Sequence, residues 1–62
     1  MEKFNVMVKF GNDTVKRMKV FYNLEEAIES AKDWGKYARV LNITSCYVCK
    51  AHYCDKVLYK AV

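Results

Sequence analysis

The residues best equipped for chemistry lie in one short run, Cys46 to Cys54, CYVCKAHYC. Cys46, Cys49, His52 and Cys54 supply thiols and an imidazole, the group types that zinc takes. Their spacing, C-x2-C-x2-H-x-C, is more compact than the usual structural zinc pattern, in which two ligand pairs are well separated along the chain. On a straight strand, Cys46 and Cys49 point to opposite faces, so chelation requires a turn between them. The simpler reading takes the cysteines as small apolar residues near a hairpin and His52 as a loop residue. A disulfide among the three is a further option, and zinc is the one cofactor that this chemistry could hold. A nucleophilic Cys/His pair would need an orienting third group, and the sequence offers no sign of one.

A second set of candidates is basic. Residues 3–10, KFNVMVKF, alternate with Phe4, Val6, Val8 and Phe10 on one side and Lys3, Asn5, Met7 and Lys9 on the other, the period of a half-buried strand. Gly11, Asn12 and Asp13 supply turn chemistry tolerant of left-handed backbone, and a second strand over about 14–22 returns antiparallel. Strict alternation there puts Met18, Val20 and Tyr22 on the apolar side and Arg17, Lys19 and Phe21 on the other. Lys9, Arg17, Lys19, Phe21 and Met7 then share one sheet face, and this is the expected binding surface. Its cations suit phosphates or carboxylates, and Phe21 and Met7 supply apolar contact. The plain alternative is a solvated hairpin face whose lysines discourage edge pairing.

The elements that must position these groups centre on YNLEEAIESAKDWG, residues 22–35. Asn23 stands at an N-cap, Glu26 three residues on as in a capping box, and Gly35 where a helix would stop. Leu24, Ala27, Ile28, Ala31 and Trp34 fall on one helical face, opposite Glu25, Glu26, Glu29, Lys32 and Asp33. The acidic run suits a solvated face and the helix dipole rather than paired catalytic carboxylates. Trp34 is expected in the core or at its boundary, and an exposed Trp34 beside Tyr37 would make an interface anchor. Ala38–Tyr47 and Lys56–Val62 read as two further strands. The expected fold is α+β: a β-β-α-β-β two-layer sandwich, with one amphipathic helix packed on a mostly antiparallel four-stranded sheet.

Length and charge bound the rest. The 62 residues suffice for a single domain, 1–62, and a chain this short buries only about 60% of its unfolded surface, which makes a homodimer an expected source of added stability. Residues 1–23 carry a charge of +3, residues 24–37 carry −2 and residues 38–62 carry +3, giving the total of +4. An acidic helix back and a basic sheet front would steer an anionic partner, whether a protein or a nucleic acid. The odd cysteine count and the lack of a secretory leader pattern point to the cytoplasm, and no run is long enough to cross a membrane. There is no G-x-G-x-x-G, P-loop, H-E-x-x-H or nucleophile elbow, so the expectation is a protein that is not an enzyme.

The stretch FYNLEEAIESAKDWGKYARVLNI, residues 21–43, resembles the strand, helix and strand core of short accessory proteins encoded by phages and other mobile elements. The resemblance implies a compact, non-catalytic protein that binds and modulates a host component, in the manner of phage-encoded inhibitors of host or defence components. It carries no functional residue across.

Overall fold

A computed structural model describes residues 2–62, with side chains described for all of these except 53–55. The elements run β1 (Phe4–Phe10), β2 (Val15–Phe21), α1 (Leu24–Lys36), α2 (Ala38–Leu41), β3 (Ile43–Lys50) and β4 (Tyr53–Lys60). The four strands form one sheet in the order β2-β1-β3-β4, every neighbouring pair antiparallel. The helix α1 covers one face, over β1 and β3. The expected α+β two-layer architecture is therefore present.

The local reasons for these elements are mostly visible in the residues. Asn23 has extended backbone, and its side-chain oxygen accepts the N–H groups of Glu25 at 2.8 Å and Glu26 at 3.2 Å. Two of the donors that a helix start leaves orphaned are thereby satisfied. The β1–β2 turn closes through Phe10 N–H to the Thr14 carbonyl at 2.8 Å and Thr14 N–H to Asn12 Oδ1 at 3.1 Å. Asp13 takes the left-handed position, with φ 68°, a conformation that its short polar side chain tolerates.

The core lies between α1 and the two central strands. Phe4, Val6 and Val8 of β1, Ile43, Cys46 and Val48 of β3, and Ala27 and Ala31 of α1 form one buried cluster. Both alanines are wholly inaccessible, so the helix sits down on the sheet through its smallest side chains, with Ile28 and Trp34 packing at the flanks. Trp34 is accordingly a boundary aromatic.

Several local features differ from the expectation, among them β4, which spans Tyr53–Lys60 rather than 56–62, and Leu24, which is exposed rather than part of the buried stripe. Residues 38–41 form a helical turn rather than the start of a strand, and it ends where Asn42 adopts φ 57°, ψ 43°. Only then does β3 begin. Gly35 lies inside α1 and does not stop it. A Cβ at Gly35 would stand 3.3 Å from Val62 Cγ2 and 3.4 Å from Ala61 Cβ, so this glycine makes room for the returning carboxyl-terminal segment. Finally, β2 carries a β-bulge. Lys19 is opposite Val6 and Arg17 is opposite Met7, leaving Met18 as the extra residue.

Candidate functional site

The side of the sheet away from α1 is the candidate site, and cross-strand register shows what it presents. Residues directly opposite one another in an antiparallel pair project from the same face. Met7 is opposite Arg17 on one side and Tyr47 on the other, and Tyr47 is opposite Lys60. A single row thus crosses all four strands as Arg17, Met7, Tyr47, Lys60. Met7 and Tyr47 are half-buried at its centre, and both cations are exposed at its ends. The next row is Val20, Asn5, Cys49, Val57. Lys9, opposite Val15 and Ser45, begins a third.

The bulge at Met18 corrects the expected composition of this face. One extra residue reverses the side-chain alternation along the strand. Lys9, Met7 and Arg17 lie on the open face as expected. Lys19 and Phe21 do not: Lys19 is in register with core-facing Val6, and Phe21 packs against the core cluster. Lys19 Nζ lies 5.0 Å from the Phe21 ring centroid, so these two residues form their own cation–π contact on the helix side. Val20, expected in the core, joins the open face instead. Tyr47 and Lys60 were missed because the alternation of β3 and β4 can be phased against β1 only once the strand order is known.

Three lysines already have carboxylate partners. Lys9 Nζ lies 3.6 Å from Asp13 Oδ1, Lys36 Nζ lies 3.7 Å from Asp33 Oδ1, and Lys50 Nζ lies 2.8 Å from Glu2 Oε1. The last contact, a hydrogen bond with charge attraction from Lys50, holds the Glu2 carboxyl below its ordinary value of 4.5. No such carboxylate partner engages Lys3 or Arg17 among the described residues. Lys3 and Arg17 border a hollow of about 380 Å³ at one end of the open face, together with Asn5, Val20, Tyr22, Ala51 and His52.

The cysteine and histidine candidates are not gathered by the fold. β3 runs straight through Cys46 and Cys49, so Cys46 pairs with Val8 on the core face and Cys49 pairs with Asn5 on the open face. Cys46 is a free thiol, fully buried, with Sγ 3.5 Å from the Ala31 carbonyl oxygen. Cys49 is fully buried and disulfide-bonded. His52 is exposed in the turn after β3, and the side chain of Cys54 lies outside the described residues. Among the described residues no three His, Cys, Asp or Glu side chains converge to hold a metal ion.

Burial raises the Cys46 thiol above its ordinary value of 9.0. The folded state therefore holds this proton more tightly than the unfolded state does. The sign follows from linkage: the stabilisation is fully present below the unfolded pKa and is lost as pH rises through the folded one. Stability should fall on titration above about pH 9, and Cys46→Ala should flatten that alkaline limb, as read by urea melts at pH 7 to 10.5. An identical slope in the variant would remove Cys46 as the cause.

At the corner of α1 and α2 a smaller shallow hollow of about 210 Å³ is bordered by Ser30, Asp33, Trp34 and Tyr37. Tyr37 and Val40 are well exposed there. No described helix is long and apolar enough to cross a membrane. In comparisons with protein-family models, curated proteins and solved structures, nothing matches this chain.

Proposed function

We propose that this chain is a non-catalytic binding protein that docks on an acidic surface of a protein partner through its open sheet face. The observation that carries this reading is the Arg17, Met7, Tyr47, Lys60 row, an apolar centre bracketed by exposed cations. Methionine, tyrosine and arginine are the side chains enriched where proteins meet proteins. The opposite side of the molecule mixes Glu25, Glu26, Glu29 and Asp33 with Lys16, Lys19, Lys32 and Lys36, so the attraction of an anionic partner to the sheet rests on the exposed Arg17 and Lys60 themselves. The resemblance to phage accessory proteins makes a host component the natural partner, with modulation of that component as the outcome.

The test is affinity capture from a host lysate with wild type, with Arg17→Glu/Lys60→Glu and with Lys36→Glu, each before and after nuclease digestion. A partner retained through nuclease, kept by Lys36→Glu and weakened at least about tenfold by the double reversal is the expected result, since like charges brought together cost several kcal/mol. Capture that vanishes with nuclease, together with direct RNA or DNA binding that falls steeply with salt, would replace this reading with nucleic-acid recognition.

A further inference from the structure

Beyond docking, we propose that the hollow bordered by Lys3, Arg17, Tyr22 and His52 is a binding site for a phosphomonoester. The proposal stands on the isolated chain, whether or not a protein partner covers the rest of the face. Three separate parts of the chain build this hollow: Lys3 with Asn5 of β1, the bulged strand β2 with the residue after it, and the turn between β3 and β4. Two contacts hold those parts in place. The Ala51 N–H donates to the Lys3 carbonyl oxygen at 3.0 Å, tying the turn to the start of the chain. Lys3 Nζ stands 5.9 Å from the Tyr22 ring centroid, which draws the ammonium over that aromatic face.

The donors around the hollow suit a doubly charged oxyanion. Arg17 offers a planar fork that matches two phosphate oxygens, Lys3 offers a compact positive charge, and Tyr22 and His52 bring further polar hydrogens. No carboxylate borders the hollow among the described residues, whereas Lys9, Lys36 and Lys50 each face one elsewhere. The bulge matters here, because such irregularities re-aim side chains, and in β2 it places Arg17 and Val20 on the same side. At about 380 Å³ the hollow exceeds what a bare phosphate needs, and falls in the lower part of the range for small-molecule sites, roughly 300–1,000 Å³. Val20, Ala51 and the Tyr22 ring supply apolar and aromatic surface for the group that carries the phosphate.

The experiment is titration of the isotope-labelled chain with inorganic phosphate and with phenyl phosphate at constant ionic strength, followed by amide chemical shifts. Saturable shifts centred on Lys3, Arg17, Tyr22, Ala51 and His52 are expected, with phenyl phosphate binding at least about threefold tighter through its ring. Arg17→Gln and Lys3→Gln should each weaken binding about tenfold. Arg17→Lys, which keeps the charge but loses the fork, should fall between, and Lys36→Gln should bind as wild type. Lys3 and Arg17 are both exposed, so these variants keep the fold, and their own amide spectra verify it. Non-saturating shifts spread over Lys32 and Lys36 as well, or undiminished binding in Arg17→Gln and Lys3→Gln, would overturn the site. Equal affinity for the two probes would overturn the monoester assignment.

Discussion

Ala31→Leu is expected to lower the melting temperature by about 4–24 °C. Ala31 is completely inaccessible, and its carbonyl oxygen sits 3.5 Å from Cys46 Sγ, so there is no room between α1 and β3 for three more carbon atoms. Forcing extra methylenes into a closed seam costs about 1–3 kcal/mol. In a domain of this size each kcal/mol shifts the midpoint by about 4–8 °C. The effect is large because 62 residues support a total stability of only roughly 3–9 kcal/mol. Circular dichroism melts decide the matter, with Glu29→Leu on the exposed side of the same helix as a control expected to change little. A leucine at 31 that melted with wild type would mean that α1 does not lie on the sheet through its alanines.

The second large effect belongs to Cys49. This side chain is fully buried on the face that no helix covers, in register with Asn5, and it is disulfide-bonded. All the cysteines lie within residues 46–54, so a bond within the chain closes a short loop whatever its partner. Its contribution then falls toward the low end of the usual range, about 2 kcal/mol. Cys49→Ala should accordingly lower the midpoint by about 8–16 °C, and reductant should shift wild type by a similar amount while leaving the variant unmoved. Intact mass under non-reducing conditions, with and without alkylation, gives an independent reading: one thiol, Cys46, should become reactive only on unfolding. Three thiols alkylated after unfolding in the absence of reductant would remove the bond and the prediction with it. Because disulfides persist in oxidising compartments and are rare in reducing ones, the same bond ties the stability of this chain to where it works.

How far the sequence could be read depends on the range of the interactions involved. The Asn23 cap, the apolar stripe of α1 and the alternation of β1 were legible because each is decided within a few residues, by backbone donors that need an acceptor or by a period that buries one face. The left-handed turn at Asp13 was legible for the same reason. The role of Gly35 was not, because its reason lies in Ala61 and Val62, far along the chain.

The candidate site shows the same division. Lys9, Met7 and Arg17 were placed correctly by alternation alone, but the extra residue at Met18 reversed the phase beyond it and sent Phe21 to the core and Val20 to the open face. No local signal marks that bulge; it is set by pairing with β1. Cys46 and Cys49 behaved as strand geometry requires, on opposite faces. By itself the sequence determined the α+β class, the helix and the Ala27 and Ala31 positions that it buries, and the inward face of β1, since hydrophobic period and capping chemistry are local. Only the tertiary structure decided the order β2-β1-β3-β4, and with it the row from Arg17 through Met7 and Tyr47 to Lys60. Those four residues are scattered from position 7 to position 60, and long-range hydrogen-bond register alone makes them neighbours.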